Sequence, residues 1–182
     1  SALSNGGSSG FRLSLRLQYQ SLDLRPDTLT LTSLGDTSRL GATARDLDST
    51  LVATPIISYA SRAPTIATIS STGLVTAVTT GATWLVATGR GATDSTRVII
   101  TQVPASVTVT PASVSLREAE TQQYTATVKD ARGNVIPAPT VTWSVSDTTK
   151  ATITPTGLLT ARDSGSVTIT ARSGSATGAA SA

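Results

Sequence analysis

Through most of the chain, polar and apolar residues alternate with a period of two, in short runs broken by turn signals. The cleanest run is residues 11–19. It sets Phe11, Leu13, Leu15, Leu17 and Tyr19 on one face and Arg12, Ser14, Arg16 and Gln18 on the other. In the C-terminal half, runs occur at residues 107–116, 123–128, 141–145, 151–153, 158–161 and 167–171, with turns at 129–134, 146–149 and 163–165. Six or seven short antiparallel strands in about 85 residues predict a two-sheet sandwich.

The pattern repeats. Residues 39–89 align without a gap onto 123–173, and the densest part sets 65–77 (TIATISSTGLVTA) against 149–161 (TKATITPTGLLTA). Nine of those thirteen positions are identical, enough to mark two copies of one module rather than a chance match. Upstream, Leu22-Asp-Leu-Arg-Pro26 matches Val107-Thr-Val-Thr-Pro111, one residue further apart. The expected architecture is all-β: two tandem immunoglobulin-like sandwiches with an extra N-terminal strand. The expected boundaries are 1–21 for the extension, 22–103 for the first module and 104–182 for the second.

The order Val107-Thr-Val-Thr-Pro111, Tyr124-Thr-Ala-Thr-Val128, Val141-Thr-Trp-Ser144, Ala151-Thr-Ile153, Thr156-Gly-Leu-Leu-Thr-Ala161 and Ser166-Val-Thr-Ile-Thr-Ala171 resembles the bacterial immunoglobulin-like domain, group 2. The turn Asp130-Ala-Arg-Gly-Asn134 is also similar to the related modules of invasin and intimin. The first copy departs by carrying Tyr59 where Trp143 stands in the second. The resemblance implies a secreted, extracellular or cell-surface place, as a stalk, spacer or adhesive tip, and names no ligand.

The two ends of the chain do not match by this reading. The first module closes with Ser95-Thr-Arg-Val-Ile-Ile-Thr101, whose Val98 and Ile100 fall at 182 and 184 in the second copy. The tail Ser173-Gly-Ser-Ala-Thr-Gly-Ala-Ala-Ser-Ala182 carries no such apolar pattern, so the second module is expected to lack its last strand and expose an edge. The alternating segment 11–19 is then a spare strand. Only Gln20 and Ser21 separate it from Leu22, and two residues span about 7 Å, too short to reach its own second module. Head-to-tail strand exchange between copies follows. Phe11, Leu13, Leu15, Leu17 and Tyr19 form the donor strand, and Val167, Ile169 and Ala171 the acceptor strand, of a fibre. Other copies of the chain are the expected partners. A spacer or a glycan-binding adhesive module of a larger surface protein is the alternative.

Composition narrows the chemistry. There is no Cys and no His, which removes disulfides, thiolate sites and the usual general base and metal ligand. Without His a hydrolytic triad is excluded in its usual form, and no phosphate loop or paired carboxylates stand at useful spacing. No catalytic residue, cofactor or metal is expected. Asp46, Asp48 and Asp130 fall in equivalent turns, but no glycine-bearing calcium loop surrounds them. The net charge of +3 comes from Arg spread along the whole chain rather than clustered, which argues against a nucleic-acid protein. No apolar run reaches the roughly 20 residues of a membrane-spanning helix. Trp84 remains. Between the inward residues Thr83 and Leu85 it must face outward, where it is either partly covered by a loop or left free as the candidate surface contact.

Overall fold

The structure, a computed structural model, describes residues 18–182. Its first unit is built from β1 (Ser21–Arg25), β2 (Thr28–Leu31), β3 (Thr37–Arg39), β4 (Gly41–Arg45), β5 (Ser58–Ser61), β6 (Ala67–Ile69), β7 (Leu74–Ala77), β8 (Gly81–Gly89) and β9 (Ala92–Ile100). The second unit is built from β10 (Ser106–Thr110), β11 (Thr121–Gln123), β12 (Thr125–Lys129), β13 (Thr142–Val145), β14 (Ala151–Ile153), β15 (Leu158–Ala161), β16 (Thr168–Ser173) and β17 (Ala176–Ser181). The described residues contain no helix, so none is long and apolar enough to cross a membrane.

In the first unit one layer is the sheet β2-β9-β8-β5. The other is assembled from β1-β4 and β3-β7-β6. β3 and β4 are two halves of one run broken at Leu40, whose N–H turns to the Gly73 carbonyl (2.9 Å) while its side chain drops into the core. Alternation sends Leu85, Ala87, Val98 and Ile100 from one layer and Leu24, Ala44 and Val75 from the other into a single buried cluster. Each fully buried Leu, Ile or Val stabilises by roughly 1.5–3 kcal/mol. The second unit repeats the plan with β10-β12, β11-β15-β14 and β13-β16-β17 around Val107, Val128, Leu159 and Ile169. Pairings recur at the spacing of the sequence repeat. Tyr59 faces Ala87 as Trp143 faces Ala171. Both rings are half-buried at the edge of their cores, each beside a positive-φ glycine, Gly73 or Gly157.

One expectation fails. The second module does not lack its last strand: β17 pairs antiparallel with β16 along its whole length, Ile169 opposite Ala180 and Ala171 opposite Gly178. Val167 exchanges backbone hydrogen bonds with Ala182 in both directions (2.8 and 3.0 Å). The acceptor residues Val167, Ile169 and Ala171 are therefore buried and paired within their own chain. The strand was hidden by its composition. Ala176, Gly178 and Ala180 alternate inward as they should, but with side chains too small to register as an apolar face. They suffice because β17 lies close on β10: a Cβ added at Gly178 would run into the Val107 carbonyl. Of the donor residues, Phe11, Leu13, Leu15 and Leu17 lie outside the described residues. Tyr19 belongs to the first module. It is buried, its N–H bonds the Arg90 carbonyl (3.1 Å), and its hydroxyl accepts from the Ile56 N–H (2.8 Å).

Candidate functional site: the joint between the modules and the outer sheet face

β9 runs past Ile100 until the Val103 N–H bonds the Thr32 carbonyl (3.0 Å), and two residues later the Ala105 N–H bonds Lys129 (2.8 Å). So short a connection brings the loop at residues 32–36 of the first module against the turn at 130–134 of the second. That turn is an Asx turn: the Asp130 carboxylate accepts from the N–H groups of Arg132 (3.0 Å) and Asn134 (2.9 Å). Its other oxygen reaches across the joint, accepting from the Leu34 N–H and from the Gln102 side-chain amide, both at 3.1 Å. Asn134 returns the contact by donating to the Leu34 carbonyl (2.9 Å). On the rim, the Arg132 guanidinium pairs with Asp36 at 2.7 Å.

Asp130 is 2 % exposed. Burial pushes its carboxyl upward, but donors on Gln102, Asn134 and Leu34 outweigh this and hold it at about 2, below the 3.8 of a free carboxyl. Asp36 is lowered too, first by the Arg132 hydrogen bond, against the opposing effect of burial, and then by the N–H groups of Thr32 and Ser33. With both Asp130 oxygens filled by N–H donors, this carboxylate has no lone pair directed at a cation. Among the described residues no three acidic groups gather as a metal site. Asp46 forms the same turn in the first module, accepting from Asp48 (3.0 Å) and Thr50 (2.9 Å). The sequence repeat flagged these aspartates. It could not show that Asp130 staples two modules, because its partners Leu34 and Gln102 are distant in sequence and one offers only its backbone.

A cleft of about 370 Å³ opens at the far end of the second module, lined by Leu116, Glu118, Lys150, Asp163 and Val167 among others. Its charged groups form no ion pair with one another among the described residues. Trp84 stands elsewhere, on the outer face of the sheet β2-β9-β8-β5, opposite Arg97 of β9. It is 43 % exposed. No loop covers it.

The chain is similar to ice-binding protein 1 of Shewanella frigidimarina (strain NCIMB 400), with 34% identity over 143 residues. That match spans 77% of this chain and 16% of the relative's length. Among solved structures it is similar to domains 1–6 of the surface layer protein SbsC (19% identity, 90% of this chain and 27% of that one, TM-score 0.41). It is also similar to the C-terminal fragment of intimin solved with the intimin-binding domain of its translocated receptor (12% identity, 91% and 63%, TM-score 0.44). Residues 104–182 match the family of bacterial Ig-like domains, group 2.

Proposed function

We propose that this chain is a non-catalytic, extracellular spacer segment whose two modules are held at a fixed angle, as part of a bacterial surface protein. The observation that carries the proposal is the buried Asp130 at the joint, with donors from both modules on its two oxygens. Charge-assisted hydrogen bonds of this kind fix geometry as well as adding energy. Domains joined by a bare linker tumble independently. The group 2 match of residues 104–182 and the likeness to a bacterial ice-binding protein support the surface setting.

Polymerisation by strand exchange is the weaker reading. Residues 11–19 would have to displace β17 from β16, breaking a ladder that is already complete. A joint of the present kind between copies is also disfavoured. Residues 117–120 repeat the loop at 33–36, with Glu120 accepting the Arg117 N–H (2.8 Å) as Asp36 accepts Ser33 (3.0 Å). At the opposite end the Asp46 turn repeats that of Asp130. Each end thus carries half a joint, but docking copies in register would set Glu120 against Asp48, where Asp36 now meets Arg132. Like charges there select a neighbour of different sequence.

Residual dipolar couplings test the spacer reading. One alignment tensor should fit both modules of the wild-type chain and two should be needed for Asp130→Ala. Independent alignment in the wild type would overturn it.

A further inference from the structure

The row of residues crossing the outer sheet face at Trp84 can be followed through four strands. The Arg62 N–H bonds the Trp84 carbonyl (3.0 Å), Trp84 stands opposite Arg97, and Arg97 stands opposite Thr28. Directly opposed residues of neighbouring strands share a face, so the indole lies between two arginines that begin about 10 Å apart, two strand spacings of about 4.8 Å. All three side chains are exposed. Among the described residues neither Arg62 nor Arg97 has a carboxylate partner. The outward positions of β2, β5, β8 and β9 carry no Asp or Glu, but several Thr and Ser.

The second module shows that the fold does not require this row. There the Ser146 N–H bonds the Thr168 carbonyl (2.9 Å), Thr168 stands opposite Ser181, and Ser181 bridges Ser113. The same four places, in the same ladders, hold four small hydroxyl residues. Arg-Trp-Arg is thus an addition to the first module, made where packing and pairing are satisfied without it, and it leaves a large apolar ring in water.

We infer that this row is a binding site for an acidic polysaccharide, with the indole stacking on a sugar ring and Arg62 and Arg97 pairing with flanking carboxylates. A guanidinium fork matches a carboxylate in two-point geometry. A flat aromatic face with hydroxyl residues around it suits a ring with one apolar face and a polar rim. Trp84 sits on a central strand, so a peptide adding to a sheet edge cannot reach it. A single ring flanked by two cations is also a shorter platform than the series of stacking aromatics that follows a nucleic-acid strand.

Trp84→Thr and the pair Arg62→Ser with Arg97→Ser install what the second module carries at the equivalent places, so the variants should keep the wild-type melting temperature. Polygalacturonate should bind the full chain, with affinity falling as salt is raised. Trp84→Thr should weaken it about tenfold, the order expected for one lost stacked ring. The double Arg variant should remove the salt dependence, and neutral dextran should bind the wild type far more weakly. In the unmodified protein, polygalacturonate should shift the indole N–H resonance of Trp84 and leave that of Trp143, which reads the site even if a variant misfolds. Unchanged Trp84 resonance, equal binding by Trp84→Thr, or equal binding of polyglutamate or oligothymidylate would overturn the assignment.

Discussion

At the scale of single residues, Asp130 does the most for the joint. Its carboxyl titrates at about 2 when folded against 3.8 when free, so the unfolded chain binds the proton more readily. The stability it contributes is full above pH 4 and is lost as pH falls through about 2. Asp130→Asn keeps the size but turns an amide NH₂ toward groups that donate. It should destabilise the chain by about 1–3 kcal/mol at pH 7, measured by urea unfolding, and flatten the loss of stability between pH 4 and pH 2. An unchanged acid limb would locate that titration elsewhere. Part of this residue was legible in the sequence. Asp46 and Asp130 stand at equivalent turns because each must receive two N–H groups of its own loop, which is a local rule. That Asp130 also bridges modules depends on Leu34 and Gln102, which no local rule connects to it. The outward direction of Trp84 was legible, since the period-2 rule needs only Thr83 and Leu85 to set it, whereas its freedom from a covering loop was not. Its two arginines were not, because their positions depend on strand register.

Among the elements, β9 and β17 show how far pattern reading carries. β9 announces itself through Val98 and Ile100, large and β-branched at alternate places. β17 occupies the equivalent place with Ala176, Gly178 and Ala180, and no hydrophobic period marks it. Its information lies in closeness rather than in apolar mass. Where Asp94 of β9 accepts the Leu24 N–H (2.7 Å), Gly178 of β17 lets the strand backbones approach directly. Gly178→Ala should therefore destabilise the second module by roughly 1–3 kcal/mol, since the new methyl meets backbone that cannot rotate away. Amide exchange should show protection lost first along β16 and β17. If the variant melts like the wild type, the close approach to Val107 does not hold the strand.

For the whole molecule, a complete β17 changes what the N-terminal segment can be asked to do. The second module needs no strand from outside, so removing residues 1–17 should leave its stability within about 0.5 kcal/mol of wild type. Added peptide 10–20 should have no effect on its unfolding. Sedimentation at increasing protein concentration should show a monomer, the outcome that like charges on Glu120 and Asp48 favour. Concentration-dependent assembly abolished by the truncation would restore strand exchange as the organising principle.

The parallel pairing of β2 with β9 has a mechanical consequence. The main chain enters the first module just before β1 and leaves it just after β9, so tension along the molecule slides β2 lengthwise against β9. Thr28, Thr30, Leu29 and Leu31, facing Arg97 to Ile100, are then loaded in shear and must give way together rather than peel apart in turn. In the second module the corresponding contact shrinks to the single bridge of Ser113 with Ser181, flanked by hydrogen bonds from Val114 to Ser181 (3.1 Å) and from Ser181 to Ala112 (3.0 Å). Rupture under load follows the unfolding barrier rather than the equilibrium stability. Pulling single molecules of this 182-residue chain by its ends should give two rupture events, the second module yielding at the lower force and the first holding longest. Equal forces for the two would show that resistance to stretching resides somewhere other than these parallel strands.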